Sequence, residues 1–367
     1  MNVILTCGGT GGHITPALAI ADVIRQNYRD SRILFVGSTG GMENEVVTAA
    51  GYEIRALRSE GFDRHRPLRL PHTLAVLKKA TEAARGLVRE HGAELVIGTG
   101  GYACYPALRA GISLGAITAA HESNAVAGLA IRLLSRQLDR VWLGFSEAAE
   151  SLPARAPVLT VGNPLPRGFL SDPTPVELPR GCRKMVLSFG GSLGAREINS
   201  AVLRLMMRLP PEVFCLHATG KREYEGVSAA FRAAGLDKKP NLRLLPFITD
   251  MPRQMAGADI VICRAGAMSI SELAALGRAA ILIPSPNVTG DHQTKNAQAL
   301  AAKGAALLLR EEEIGGDLLV GEVLRLLGDD AARARMQESI KTLAPLQAPR
   351  RIYEDIEMLL RRKTMKK

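Results

Sequence analysis

Cysteine is scarce in this chain, and the five present (Cys7, Cys104, Cys182, Cys215 and Cys263) are an odd number with no Cys-x-x-Cys pair. That spacing predicts neither a disulfide framework nor a thiolate metal site, so the thiols read as small buried hydrophobes. Aromatic residues make up only 4% of the sequence. Few rings can interleave with basic residues and no recognised nucleic-acid-binding module is present, which argues against nucleic acid as a partner. No run approaches the roughly 18 uncharged apolar residues of a membrane-spanning helix, and the most apolar helical stretch, 125–134, carries Arg132. The opening Met-Asn-Val-Ile-Leu-Thr-Cys lacks a charged leader with a long apolar core, so a cytoplasmic location is the expectation. Motifs of the His-Glu-x-x-His kind, clustered Cys and His, and paired Asp are missing as well, and no bound metal is expected.

What is present is enough apolar material for two cores. At 367 residues, 47% hydrophobic and 23% charged, the chain exceeds what one core usually organises. Short β-branched runs at 3–6, 33–36, 95–97 and 158–161 alternate with longer stretches of helical spacing. This alternation predicts βα units and a mostly parallel sheet covered on both faces. After Gly162-Asn163-Pro164 and the Pro-rich segment 171–179 the same grammar restarts, with strands expected at 185–189, 242–245, 260–263 and 281–283.

The two starts share one pattern. Val-Ile-Leu-Thr-Cys-Gly8-Gly9-Thr10-Gly11-Gly12 and Met-Val-Leu-Ser-Phe-Gly190-Gly191-Ser192-Leu193-Gly194 each run strand, Gly-Gly turn, hydroxyl residue, glycine, helix. The expected fold is α/β, two Rossmann-like domains whose parallel sheets face a cleft between them, with ligands at the carboxyl ends of the strands. Residues 1–163 and 164–344 are the expected domains, and 345–367 a terminal helix and basic tail. Ile352, Ile356, Leu359 and Leu360 recur at helical spacing. That periodicity leaves the helix's packing partner open, with the N-terminal domain as the candidate.

Lys and Arg outnumber Asp and Glu by 47 to 36, a formal net charge of +11, which favours an anionic partner such as a nucleotide or an acidic membrane surface. Segment 55–79 concentrates Arg55, Arg58, Arg64, Arg66, Arg69, Lys78 and Lys79, and the tail adds Arg361, Arg362, Lys363, Lys366 and Lys367.

Gly8-Gly9-Thr10-Gly11-Gly12-His13, a strand end turning into a helix, suits an anion or a sugar, because residues without side chains let backbone N–H groups approach. A nicotinamide cofactor does not fit. The third glycine of G-x-G-x-x-G would fall on Ile14, and the second strand ends Phe35-Val36-Gly37-Ser38 without the ribose-binding acid. His13 sits at the helix start, where it either takes a proton from an attacking hydroxyl or merely hydrogen-bonds the loop. In the second half, Cys263-Arg264-Ala265-Gly266-Ala267-Met268-Ser269-Ile270-Ser271-Glu272 is another strand, turn and helix start. Ser269 and Glu272 have the spacing of a capping box, so Glu272 either closes helix donors or accepts from the hydroxyls of a ribose. The polar loop from Pro284 through Asp291, Gln293 and Asn296 either reads sugar hydroxyls or caps a helix. His121-Glu122-Ser123-Asn124 and Gly100-Gly101-Tyr102 are further ligand-facing loops.

Taken together and in this order, Gly8-Gly-Thr-Gly-Gly-His13, Gly100-Gly-Tyr102, His121-Glu-x-Asn124, Gly162-Asn-Pro164, Gly190-Gly-Ser-x-Gly-Ala195, Cys263-Arg-x-Gly-Ala267, Ser271-Glu272 and Asp291-x-Gln293-x-x-Asn296 resemble one family over nearly the whole length. The chain is similar to the peptidoglycan N-acetylglucosaminyltransferases that convert lipid I to lipid II. The resemblance implies the GT-B fold and inverting transfer of N-acetylglucosamine from its UDP donor to the C4 hydroxyl of the muramoyl sugar, with no cofactor or required metal. It also implies that Thr10, Gly11, Gly12 and Asn124 meet sugar or diphosphate, that Ser192 contacts the diphosphate, and that Ile248 holds the uracil. Ala267, Met268, Ser269, Ile270, Ser271 and Glu272 would line the nucleotide, with Glu272 on the ribose and Gln293 on the N-acetylglucosamine. His13 becomes the candidate general base.

Two departures stand out. The family's Gly-Asn-Pro-x-Arg is here Gly162-Asn163-Pro164-Leu165-Pro166, with Arg167 one place late, and its His-Glu-Gln-Asn has Ser123 in place of Gln. Given a lipid-linked acceptor, Leu68, Leu70, Leu74 and Leu77 among the basic residues of 55–79 suggest an apolar patch resting on an anionic membrane surface. Two other readings are compatible with the residues: a GT-B enzyme for another acceptor or a UDP-N-acetylglucosamine epimerase, and a nucleotide-sugar-binding membrane adaptor without turnover.

Overall fold

The computed structural model describes residues 1–58, 70–191, 194–288 and 291–365. Ser192, Arg64, Arg66, Leu68, Arg69, Lys366 and Lys367 therefore lie outside the described residues, as does the side chain of Leu70. The chain divides into two compact units, Met1–Pro166 with Pro345–Lys367, and Arg167–Ala344.

In the first unit, strands β1 (Asn2–Thr6), β2 (Arg32–Ser38), β3 (Glu53–Leu57), β4 (Leu95–Gly98), β5 (Ile117–Glu122), β6 (Arg140–Leu143) and β7 (Val158–Thr160) form one sheet in the order β3-β2-β1-β4-β5-β6-β7. Every pairing is parallel, and β1 runs between its neighbours with Val3 opposite Ile33 and Leu95. The connecting helices are α1 (Gly11–Asn27), α2 (Glu43–Ala49), α3 (Leu70–His91), α4 (Cys104–Ser113) and α5 (Leu129–Leu134). Val3 and Leu5 pack with Ile14, Ile20 and Ile24 of α1 on one face, and Ile4 packs with Val88 of α3 and Leu108 of α4 on the other. Side chains alternate faces along a strand, so a strand covered on both sides is apolar throughout, and this is why runs such as 3–6 and 95–97 are legible without alternation.

The second unit repeats the plan with β8 (Lys184–Phe189), β9 (Val213–Ala218), β10 (Leu242–Leu245), β11 (Ile260–Cys263), β12 (Ala279–Leu282) and β13 (Leu307–Leu308), in the order β10-β9-β8-β11-β12-β13. All pairings are again parallel. Its helices are α6 (Arg196–Arg208), α7 (Tyr224–Ala233), α8 (Met251–Gly257), α9 (Ala267–Leu276), α10 (His292–Ala301), α11 (Leu318–Gly328) and α12 (Asp330–Lys341). Strand order reverses between β1 and β4 in the first sheet and between β8 and β11 in the second. Such switch points open a crevice at the carboxyl ends of the strands, and the glycine motifs of both halves occupy them.

The final helix, α13 (Ala348–Thr364), belongs to the first unit. Its apolar stripe of Ile352, Ile356 and Leu359 joins the core beside α1 and Trp142. Asp355, 3% exposed, accepts from Arg140 Nε and Trp142 Nε1, both at 2.8 Å.

Candidate functional site

At the switch point of the first sheet, β1 leads into Gly8–Gly12 and β4 into Gly100–Tyr102. Gly101 has φ of +86°, and a Cβ there would overlap the Gly8 carbonyl oxygen, so only glycine lets the two loops meet. His13, in the first turn of α1, places Nδ1 2.9 Å from the Gly8 carbonyl oxygen. A carbonyl can only accept, so Nδ1 carries a proton, and in the neutral ring the lone pair is on Nε2. The hydroxyl of Thr99 donates to the His13 carbonyl at 2.7 Å, and Gly100 lies against the ring, where a Cβ would stand 2.7 Å from Nε2. The imidazole is thus fixed in the tautomer that a proton acceptor needs. Thr10 is the N-cap of α1, makes no side-chain cap hydrogen bond, and like Gly12 is exposed.

Sequence reasoning overlooked Glu43. This buried carboxylate accepts from Ser38 N at 2.7 Å and Gly9 N at 3.2 Å, tying the glycine loop to the end of β2. No local sequence pattern marks it: Gly8, Gly37 and Gly41 crowd around it only in the folded chain.

The β5 loop is stitched to the same place. Pro16 lies inside α1 and has no N–H to give Gly12's carbonyl. The Ser123 hydroxyl reaches that carbonyl at a long 3.5 Å, so the residue that departs from the family pattern still makes a link. Glu122 Oε1 accepts from the backbone N of Asn124 at 3.0 Å and its Nδ2 at 3.2 Å, while Oε2 accepts from Gly128 N at 2.8 Å. Because a carboxylate only accepts, the Asn124 amide is oriented with its oxygen free to take a hydrogen bond. His121 is fully buried with Nε2 3.2 Å from the Gly162 carbonyl, and burial pushes its pKa down to about 4. It is a neutral strut between β5 and the 162–164 turn. Asn163 Nδ2 adds a 3.1 Å bond to the Ser123 carbonyl.

In the second unit the loop after β8 passes Gly190 and Gly191 to Gly194, whose φ is +81° and whose Cβ would overlap the Thr219 carbonyl oxygen. At β11 the turn Arg264-Ala265-Gly266 enters α9 with Gly266 as the N-cap. This corrects the capping-box expectation: the helix begins before Ser269, which falls in its first turn, and Glu272 sits in the second turn, beyond reach of the end N–H groups. Ala267, Met268, Ile270 and Ser271 are buried, so toward a nucleotide they can offer only backbone. Ser269 and Glu272, three apart, share a half-buried face. Burial pushes the Glu272 carboxyl up to about 8, because the charged form loses hydration without gaining a cation. Ile248 is buried after the edge strand β10, two strands from β8.

Gln293 lies in the first turn of α10. Its Oε1 accepts from Ser285 N at 2.9 Å, which orients the amide with its NH₂ presented outward. Asn296, buried one turn on, donates Nδ2 to the Ala265 carbonyl at 3.2 Å and holds α10 to the β11 turn. Arg167, late in the Gly-Asn-Pro motif, is exposed at the head of a 3₁₀ turn, Arg167–Phe169. Its carbonyl accepts from Leu170 N at 2.9 Å and Ser171 N at 3.1 Å, while its side chain forms no hydrogen bond or ion pair among the described residues.

Away from these loops, Arg58, His72, Ala75, Val76, Lys79, Ala80 and Ala83 line a depression of about 350 Å³ on the α3 side of the first unit. Leu74 is exposed beside Lys78 and Lys79. Among the described residues no helix is long and apolar enough to cross a membrane, and no group of three or more His, Cys, Asp or Glu could hold a metal ion.

Residues 3–143 match the N-terminal domain of glycosyltransferase family 28, and residues 185–348 its C-terminal domain. The UDP-N-acetylglucosamine--N-acetylmuramyl-(pentapeptide) pyrophosphoryl-undecaprenol N-acetylglucosamine transferase of Acetivibrio thermocellus is 37% identical over 374 residues, covering 99% of both chains. The enzyme of the same name from Desulforudis audaxviator is 38% identical over 372 residues, covering 98% of both. Among solved structures, Acinetobacter baumannii MurG superposes with a TM-score of 0.74 at 27% identity, over 97% of this chain and 99% of that one. A UDP-GlcNAc 2-epimerase from Neisseria meningitidis reaches a TM-score of 0.68 at 13% identity over 98% of this chain and all of that one, which shows shared fold alone. With both domain matches and full-length identity in hand, the chain belongs to glycosyltransferase family 28, in the family of the UDP-N-acetylglucosamine--N-acetylmuramyl-(pentapeptide) pyrophosphoryl-undecaprenol N-acetylglucosamine transferases.

Proposed function

We propose that the protein transfers N-acetylglucosamine from UDP-N-acetylglucosamine to the C4 hydroxyl of the muramoyl sugar of lipid I, with inversion, forming lipid II for peptidoglycan. Family membership supplies the substrates; the observation that carries the chemistry is the Nδ1–H bond from His13 to the Gly8 carbonyl, which leaves Nε2 as a base. In this reading the acceptor hydroxyl gives its proton to His13 Nε2 as its oxygen attacks the anomeric carbon, and the bond to the UDP oxygen breaks on the opposite face. Asn124 takes a hydrogen bond from a sugar hydroxyl, with Thr10, Gly11 and Gly12 beside it. The second unit holds the donor: Ile248 at the uracil, Glu272 on the ribose, the backbone of residues 267–271 along the nucleotide, Ser192 on the diphosphate and Gln293 on the sugar. N–H groups at the starts of α6 and α9 meet the charge that develops on the departing UDP.

Release of UDP from UDP-N-acetylglucosamine should depend on a lipid I analogue with a shortened prenyl chain and survive EDTA. Release of 2-epimer without any acceptor would point instead to the epimerase reading, and donor binding without turnover to the adaptor.

The protein is expected to work as a peripheral enzyme on the cytoplasmic face of the membrane, the exposed Leu74 and the charges of Arg58, Lys78 and Lys79 meeting anionic lipid. Sedimentation with liposomes should rise with anionic lipid content, and an unchanged bound fraction would sink this placement.

The Glu272 carboxyl adds a pH signature. Near pH 7 a group that titrates at about 8 is mostly protonated. The ionised form accepts from both ribose hydroxyls, so donor affinity follows the deprotonated fraction and should strengthen roughly tenfold from pH 7 to 9. Calorimetric titration of Glu272→Gln should give a weaker affinity without that slope; an equal slope in the variant would place the titrating group elsewhere.

A further inference from the structure

The Arg264 side chain is only 15% exposed. Its Nη1 donates to the carbonyls of Ile283 at 3.2 Å and Pro284 at 3.0 Å. Its Nη2 is paired with the carboxylate of Glu311, itself 18% exposed, on the 3₁₀ turn Glu311–Gly315 that follows β13. The peptide after Pro284 supplies the Ser285 N–H that fixes the Gln293 amide. Ile283 N continues the ladder onto the Cys263 carbonyl at 2.9 Å, so the strand end is held on one side by the sheet and on the other by the guanidinium.

A planar guanidinium has the fork geometry to hold two successive carbonyls and a carboxylate at once, which a single ammonium cannot reproduce. Both terminal nitrogens are engaged inside the protein. We infer that Arg264, anchored by Glu311, is a positioning residue for sugar recognition: it sets the 283–285 backbone so that Ser285 orients the Gln293 amide with its NH₂ toward the N-acetylglucosamine. The inference rests on the reading that Gln293 contacts that sugar. It adds Glu311, which lies at the far end of the relay, to the residues that determine donor recognition.

The relay predicts a loss confined to the sugar. Dissociation constants for UDP and for UDP-N-acetylglucosamine would be measured by calorimetry for the wild type, Glu311→Gln, Arg264→Lys, Gln293→Ala and the Glu311→Gln/Gln293→Ala double variant, each checked for folding by thermal melting. Glu311→Gln and Gln293→Ala should each weaken UDP-N-acetylglucosamine roughly tenfold and leave UDP unchanged, and the double variant should lose no more than either alone. Arg264→Lys keeps the charge and should show the same sugar-specific loss, which protects the test if the Glu311 variant melts early. Equal weakening of both ligands by the Glu311 and Arg264 variants would make them general structural residues and overturn the inference. Additive losses in the double variant would overturn it as well. If Gln293→Ala changes the ratio of the two constants and Glu311→Gln does not, the relay alone is wrong. If Gln293→Ala leaves that ratio unchanged, the reading of Gln293 fails and the relay falls with it.

Discussion

Replacing His13 by Ala should lower kcat by about 10² to 10⁴, the usual worth of a positioned general base, while the dissociation constant for UDP-N-acetylglucosamine stays within about twofold. The split follows from where the residue sits. His13 belongs to the first unit, whereas the residues assigned to the nucleotide and its sugar, from Ile248 through Gln293, belong to the second. Its side chain is held within its own loop, Nδ1 lying 2.9 Å from the Gly8 carbonyl oxygen and 3.5 Å from Thr10 Oγ1, and the ring is bounded by Gly100. Truncation therefore removes the Nε2 lone pair without withdrawing a residue assigned to the donor. Single-turnover measurement of UDP formation, with enzyme in excess over donor and acceptor saturating, shows whether the loss lies in the chemical step, and calorimetry gives donor affinity. A fall of less than about tenfold would remove His13 from the role of base. A parallel loss of donor affinity would instead make it a loop-bracing residue.

Much of this arrangement was legible in the sequence, for a physical reason that also marks where legibility ends. Strands buried on both faces are continuous apolar runs bounded by glycine, and 3–6, 95–97, 185–189 and 260–263 stand out accordingly. The strands that stayed hidden break that rule. β3 is an edge strand with Glu53 and Arg55, and β6 opens on Arg140. β9 is apolar except for His217, whose Nε2 lies 3.0 Å from Asn199 Oδ1 and whose Nδ1 faces the Ser188 carbonyl at 3.3 Å. Only the folded chain supplies those partners, so a polar residue in a strand cannot be recognised as satisfied beforehand.

The same limit separates the site residues. Glycine-rich turns after strands announce themselves, because a backbone that must approach a ligand or another loop has few alternatives to glycine. The groups that orient the site do not announce themselves. Glu43 is 34 residues from the Gly9 N–H it accepts from, and Glu311 is far in sequence from Arg264. Neither spacing carries a local pattern. Glu272 shows the opposite error: its spacing from Ser269 imitates a capping box, and the helix simply starts earlier, at Ala267. A local pattern identified the residue but assigned its hydrogen bonds to the wrong partner.

The docking of the terminal helix is the other feature that periodicity left open, and it sets the largest expected loss of stability. Asp355 is 3% exposed and accepts from Arg140 Nε and Trp142 Nε1 through one oxygen. Asp355→Ala would strand a mostly buried guanidinium and an indole N–H, so it should cost about 3–5 kcal/mol. For a unit of this size that is a fall of roughly 10 °C or more in the first unit's melting temperature. Because α13 and α1 share one core cluster through Ile352, Ile356 and Leu359, early proteolysis should begin at the carboxyl-terminal helix. The double variant Asp355→Leu/Arg140→Met removes both charges together and should recover most of the loss, since an apolar pair need not be hydrated or paired. Differential scanning calorimetry of the three proteins separates the alternatives. If Asp355→Ala melts within about 2 °C of the wild type, the ion pair contributes little and the helix is held by its apolar stripe alone. If the double variant melts no higher than Asp355→Ala, the lost stability resides in the Trp142 hydrogen bond and the packing around it, not in an abandoned charge.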